Sequence, residues 1–242
     1  MPIGRSEGRH QTGAKLSVLG STVGGMATAR FKDLCIDAAD EAAAARFYAD
    51  LLGLRADGDR LDGPTPTHTV WLNGVPESKQ AKNRVHLDVL AGSLDEVTAL
   101  GATVLEPDDG QRGWTVFTDP EGQEFCVFLR DQPPPQRLYE VVVDAADSAR
   151  IAHWWAGVFG SEAKDGNGYH YLAVPDAPFE YLVFVPVPEA KTVKNRVHWD
   201  VTADPAKLVA AGAALLRPRD PDIGWHVLAD PDGNEFCAFE PS

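Results

Sequence analysis

Cysteine, methionine and basic side chains are all scarce in this chain. Three cysteines and two methionines occur among 242 residues, and an odd, small number of cysteines does not make the disulfide framework of a secreted mini-domain. A reducing, cytoplasmic compartment is the simplest expectation. Lysine and arginine total 22 against 36 acidic residues, a formal net charge of −14. Nucleic acid and anionic membrane surfaces attract the opposite sign, so neither is expected as a partner. No apolar run comes near the roughly 18 residues that span a bilayer. What is left is a globular composition, 44% hydrophobic and 24% charged, in a chain long enough for two domains, each with its own core.

The opening stretch MPIGRSEGRHQTGAKLSVLGSTVGG is basic and rich in Gly and Ser, without a clear period. Its apolar part is broken by Gly, Ser and Thr, which makes a poor signal-peptide core. Residues 1–26 are therefore expected to be a disordered tail, or to lie upstream of a true start at Met26.

The rest of the chain is written twice. DAAD stands at Asp37–Asp40 and at Asp144–Asp147; VPESKQAKNRVHLDV at Val75–Val89 matches VPEAKTVKNRVHWDV at Val187–Val201; GWTVFTDPEGQEFCVF at Gly113–Phe128 matches GWHVLADPDGNEFCAF at Gly224–Phe239. The offsets are 107, 112 and 111 residues, so order and spacing are kept and the chain is a tandem duplication. DQPPPQR, with three consecutive prolines, separates the copies as a stiff extended linker. The expected domains are 27–131 and 137–242, joined by residues 132–136.

Each copy has the same local signals. RFKDLCIDA and RLYEVVVDA have the β-branched and apolar content of strands; Asp40 and Asp147 suit helix N-caps before Ala-rich amphipathic stretches, and Gly53 and Gly160 suit helix stops. Short β-like pieces follow, among them YHYLAV and FEYLVFVPV in the second copy, while RADGDRLDGPTPT in the first copy carries little β signal. RVHLDV and RVHWDV then open a second round of strand, helix and strands that ends in EFCVF and EFCAF. The DPEG and DPDG stretches read as turns. Trp154 and Trp155 fall on a helix as core residues, and Trp114 and Trp225 read as packing residues at a strand start.

FYADLLGL after an N-terminal strand, an arginine-flanked strand histidine and DPEGQEF or DPDGNEF before the last strand together resemble the vicinal oxygen chelate superfamily. That superfamily includes glyoxalase I, bleomycin-resistance proteins and extradiol dioxygenases. The resemblance covers nearly all of 27–242 and implies an α+β fold: tandem glyoxalase-like domains, each of two βαβββ modules that form a cupped mixed sheet with a small ligand in the cup. It also implies a divalent metal in many members, held by four side chains. Here the ligand positions fall on Asp33 and Glu140 in the first strand, Trp71 and Val183 in the fourth, His86 and His198 at the start of the second module, and Cys126 and Cys237 in the last strand. The usual two-histidine, two-glutamate set is absent from both copies.

The residues have a logic of their own. Strand alternation puts Arg84, His86 and Asp88 on one face, and Glu124, Cys126 and Phe128 on one face of another strand. Imidazole, thiolate and carboxylate make a plausible three-ligand zinc set with an open position, giving the groupings Asp33–His86–Cys126 and Glu140–His198–Cys237. Without a metal, His86 beside Cys126 and His198 beside Cys237 suit acid–base or nucleophilic chemistry. Arg84, Arg196, Glu124, Glu235 and His170 are candidate ligand-binding residues, with Arg84–Glu124 and Arg196–Glu235 ion pairs as the purely structural alternative; His226 is a further candidate pocket histidine. The incomplete ligand set weighs toward a metal-free cup. Two functions follow: a glyoxalase-type lyase or isomerase, or dioxygenase-like enzyme, acting on a small oxygenated or aromatic molecule, or a metal-free binding protein of the drug-sequestering kind. The partner expected is a small molecule, the cofactor none or a divalent metal, the assembly a monomer or homodimer, and the second copy, with its fuller strands, the active one.

Overall fold

The computed structural model describes residues 27–241, so the expectations for residues 1–26 lie outside the described residues. Four modules of one pattern follow one another. The first is β1 (Ala29–Ala38), α1 (Glu41–Leu52), β2 (Arg55–Asp57), β3 (Arg60–Asp62) and β4 (Val70–Gly74); the second is β5 (Val85–Ala91), α2 (Leu94–Ala99), β6 (Thr103–Glu106), β7 (Thr115–Thr118) and β8 (Glu124–Leu129). The third is β9 (Leu138–Ala145), α3 (Ser148–Phe159), β10 (Lys164–Asp165), β11 (His170–Leu172) and β12 (Tyr181–Pro186); the fourth is β13 (Val197–Ala203), α4 (Pro205–Ala210), β14 (Ala214–Arg217), β15 (His226–Ala229) and β16 (Glu235–Phe239). The α+β class, the βαβββ pattern and its repetition are as expected, including the short strands β2 and β3 where the β signal is thin.

The expected caps form. Asp40 and Asp147 accept from the backbone N–H of Ala43 and Arg150 at 2.9 and 3.0 Å, filling donors that a helix start leaves open. Gly53 and Gly160 end α1 and α3 at φ 67° and 65°, left-handed backbone that glycine adopts without a Cβ penalty. A Cβ on Gly53 would lie 1.8 Å from the Pro135 carbonyl oxygen. The proline linker is thus seated on the end of α1, and the Arg137 N–H donates to Leu52 O at 3.0 Å.

The sheets do not follow the sequence halves. One eight-stranded sheet runs β14-β15-β16-β13-β1-β4-β3-β2, the other β10-β11-β12-β9-β5-β8-β7-β6. The first module therefore shares a sheet with the fourth, and the second with the third. The seams are antiparallel pairs, β1 with β13 and β5 with β9. Each copy contributes half of each cup, a partner exchange that the two halves read separately did not reveal.

The duplicated motifs lock this exchange. Lys82 of the first copy's KNR meets Asp144 of the second copy's DAAD at 2.5 Å, and Lys194 meets Asp37. Helices tie the two sheets together: Tyr48 on α1 donates to Asp119 at 2.9 Å, and Trp155 on α3 donates to Asp230 at 3.0 Å. Both acceptors head the expected DPEG and DPDG turns, and each also receives two turn N–H groups. Trp155 is wholly buried against Trp199 and Phe236. Trp154 is only part-buried and donates to Ala211 O at 2.7 Å. One continuous apolar core runs through all four modules.

Candidate functional site

In the sheet of modules two and three, Val85, Leu87 and Val89 of β5 turn into the core, so His86 and Asp88 emerge on the concave face. The strand registers set Asp88 opposite Cys126 on β8 and opposite Glu140 on β9. His86 Nε2 lies 3.6 Å from Cys126 Sγ and 3.4 Å from Asp88 Oδ1. Donor atoms of His86, Asp88 and Cys126 all fall within 4.8 Å of one another. Above them opens a cavity of about 540 Å³, walled by Trp114, Phe128, Val142, Val183 and Tyr169. Trp114 and Phe128 stack at 5.5 Å, so the expected packing residue also forms a cavity wall.

Burial, and after it the Asp88 carboxylate, push the Cys126 thiol well above the usual range. That runs against the activated thiolate the His–Cys pairing suggests, because the opposing pull of Lys82 and Arg112 is smaller than the effects of burial and Asp88. A bound cation would offset them. Asp88 Oδ1 is buried and makes no hydrogen bond, and nitrogen, oxygen and sulfur donors face an accessible cavity. This set fits a divalent ion with an open coordination position.

The sheet of modules one and four repeats the geometry. Cys237 Sγ is 3.7 Å from His198 Nε2, and Asp200 Oδ1 is also 3.7 Å from it; Cys35, His198 and Asp200 form a second donor group within 4.8 Å. Access differs. Trp71 stands where the open cup has Val183, and its Nε1 donates to Asp33 Oδ2 at 3.0 Å. Lys32 holds the same oxygen at 2.5 Å and lies 4.1 Å from the Phe239 ring centre. His198 is buried, and that burial lowers its pKa to about 4. Burial and the neighbouring Asp33 hold the Asp200 carboxyl well above its ordinary range, and burial then Asp200 raise both Cys35 and Cys237. In this cup burial disfavours the charged forms of His198, Asp200, Cys35 and Cys237.

The expected groupings are therefore corrected. Glu140 joins His86 and Cys126, and Asp33 joins His198 and Cys237, because β9 pairs with β5 and β1 with β13. His170 does not line the cup: it shares the core face of β11 with buried Leu172, and its Nδ1 lies 2.9 Å from Ser148 Oγ at the start of α3. His226 stands 3.9 Å from Glu240 and accepts from the Arg219 N–H, away from the cavity. Arg84 and Arg196 precede the strands and turn to backbone carbonyls of the other copy, Glu189 and Asp144 for Arg84 and Glu77 for Arg196. The Arg84–Glu124 and Arg196–Glu235 pairs do not form. Glu124 instead meets Lys79 at 2.8 Å and Glu235 meets Lys191 at 2.6 Å; of these two acids, Glu124 borders the open cavity. Asp88 and Asp200 complete the two donor groups, and the signal for them in the sequence is an aspartate two residues after the histidine in both copies.

The profile of a family described as the glyoxalase-like domain matches residues 33–128 and 140–239, one match for each copy. The chain belongs to the glyoxalase-like domain family. Through it the chain is a member of the vicinal oxygen chelate superfamily. No curated protein matches this glyoxalase-like chain. Among solved structures, glyoxalase I from Zea mays is similar at 16% identity, with 88% of this chain and 92% of that one covered and a TM-score of 0.61. A proposed dioxygenase from Bacillus subtilis is similar at 11% identity, covering 89% of this chain and 86% of its own, with a TM-score of 0.62. At these identities the likeness is one of fold. Among the described residues of the glyoxalase-like chain, no helix is long and apolar enough to cross a membrane.

Proposed function

We propose that the open cup between modules two and three is a catalytic site of the glyoxalase type, a lyase or isomerase site for a small oxygenated molecule. The observation that carries this is the cavity of about 540 Å³ opening directly onto His86, Asp88, Cys126 and Glu140. His86, Asp88 and Cys126 would hold a divalent ion, which supplies Lewis-acid polarisation of substrate oxygen when bound. Cys126 would serve such an ion as the thiolate, so affinity would rise with pH. Glu140 is buried, faces the same cavity and is left as the carboxylate that takes a proton from the substrate and returns it. Trp114, Phe128 and Val183 orient the substrate and keep water from the carbon that loses the proton. The protein works in a reducing compartment, which keeps Cys126 available as a ligand.

One observation favours a second reading. Val183 occupies a position where a fourth ligand would stand, and with Trp114 and Phe128 it gives the cup an apolar, partly aromatic wall, suited to holding an aromatic compound without chemistry. Metal content of untagged protein purified without chelator separates the two. The catalytic reading expects about one divalent ion per chain, lost in His86→Ala and kept in His198→Ala. A protein that stays metal-free after reconstitution overturns it and leaves the binding reading.

A further inference from the structure

The cup accounts for the histidine of the duplicated KNRVH but not for either arginine, and of its lysines only Lys82 reaches the cup's rim. The two KNR segments face one another across a second cleft of about 310 Å³, which adjoins the cup at Lys82 and is lined by Lys79, Lys82, Arg84, Lys194 and Arg196 against Asp37 and Glu77. Five cations gather there in a chain of net charge −14. We propose that this cleft binds the phosphate group of a small metabolite.

Lys79 is held by Glu124 at 2.8 Å, and the other four cations are placed but not used up. Arg84 donates Nη1 to Glu189 O at 2.8 Å and Nη2 to Asp144 O at 3.0 Å. Both acceptors are carbonyls, and among the described residues Arg84 forms no ion pair with a carboxylate. Its guanidinium is oriented while its charge stays uncompensated, a state that favours an oxyanion. Arg196 donates to Glu77 O at 3.0 Å, its nearest carboxylate, Glu121, is a long 3.5 Å away, and its buried Nε has no partner. Lys82 and Lys194 each meet a single carboxylate, yet an ammonium carries three donors, and their side chains are 65% and 52% exposed. The segments between them are rigid: Asn83 and Asn195 are buried and donate to Glu124 and Glu235 with their backbone N–H, and to Gln123 and Asn234 with their amides. Donors arriving from both copies suit a tetrahedral phosphate with three strongly accepting oxygens better than a planar carboxylate. The cleft volume is at the low end for small-molecule sites, which fits a phosphomonoester and not a polymer.

The test is calorimetric titration with inorganic phosphate at constant ionic strength, with malonate as the carboxylate probe. The expected result is saturation at one phosphate per chain, with malonate weaker. Phosphate binding falls about tenfold or more when two charge-assisted contacts are removed in Lys82→Gln/Lys194→Gln. Arg84→Lys, which keeps the charge and loses the fork, weakens phosphate while the protein remains folded at the titration temperature. His86→Ala binds phosphate as the wild type does, which separates this cleft from the cup. Unsaturable heats, malonate binding as tightly as phosphate, unchanged affinity in the lysine double variant, or loss of phosphate in His86→Ala would each overturn the assignment.

Discussion

Duplication gave this chain two cups with the same His–Asp–Cys arrangement, and one wall position separates their fates. Val183 leaves space above Glu140, whereas Trp71 at the matching place lies across Asp33 and bonds to it. The neighbours follow suit. Tyr139 and Tyr171 stand in the open half where Lys32 and Arg60 stand in the closed one, with Lys32 on Asp33 and the Arg60 guanidinium 5.8 Å from the centre of the Trp71 ring. The active-looking cup belongs to neither copy, since the first supplies His86 and Cys126 and the second supplies Glu140. The expectation that the second copy carries the site is replaced by a site shared across the copies. Identical polar residues thus mark a duplication event, and access to them is set by the apolar and cationic neighbours.

The sharpest way to break the comparison is to exchange the wall residues. Val183→Trp fills the open cavity and is expected to cut alkylation of Cys126 by iodoacetamide at least about tenfold, the fold-change that follows when access to a thiolate is blocked. Trp71→Val is expected to expose Cys237 to the same reagent; mass spectrometry of the labelled sites reads both. In the wild type the Cys126 rate rises about tenfold per pH unit through the neutral range, because the thiol titrates far above it. A flat profile would show that the thiol is not held up by its surroundings.

Next in size is the pair of helix anchors. Trp155→Ala removes a wholly buried indole and costs about 3–5 kcal/mol, while Tyr48→Phe only leaves one oxygen of Asp119 without its donor and costs about 1–2 kcal/mol. Chemical denaturation measures both, and equal losses would contradict the packing described.

His198 gives a pH test of similar size to the larger of these. The folded pKa of His198 lies at about 4, below its ordinary 6.5, so the unfolded chain binds the extra proton first. Stability from this group is complete above pH 6.5 and is lost as the pH falls toward 4, by on the order of 3 kcal/mol. Asp200, held up by burial and Asp33, contributes with the opposite sign, its share fading as pH rises through its folded pKa. The informative quantity is therefore a difference: urea midpoints of His198→Gln should fall less steeply between pH 6.5 and 4 than those of the wild type, and an equally steep fall would contradict it. The smallest contrast is at the helix stops. Gly53→Ala meets the Pro135 carbonyl whereas Gly160→Ala meets Ala27 at 3.1 Å; both carry the left-handed strain of about 1–2 kcal/mol, and the first should lower the melting temperature further.

Much of this was written in the sequence. The repeats, the caps at Asp40 and Asp147, the stops at Gly53 and Gly160, and the strand placing His86 and Asp88 on one face all follow from local pattern. The exchange of module partners does not, because β1 finds the same alternating partner in β5 and β13 and local pattern is indifferent between them. The choice is made by contacts between copies such as Lys82 with Asp144. Strand alternation does not reach Arg84, which precedes the strand's first residue, Val85, in a segment that turns toward another backbone. His170 was legible after all: it alternates with Leu172, an apolar residue that had to face the core.

The seam between β1 and β13 also sets a timetable. Strands β5 through β12 are contiguous in the chain, so the half that holds the open cavity can close once residue 186 is available. Module one has to wait for Val197–Ala203, more than one hundred and fifty residues after its own first strand, carrying an unpaired β1 edge through that interval. Pairing so distant in sequence is slow and exposes the waiting strand to wrong partners. Pulse-labelled hydrogen exchange during refolding is expected to protect β5 and β9 before β1 and β13, and the reverse order would contradict it. Birth order then follows use: the half with a cavity to offer assembles first, and the closed half is the last piece to be sealed.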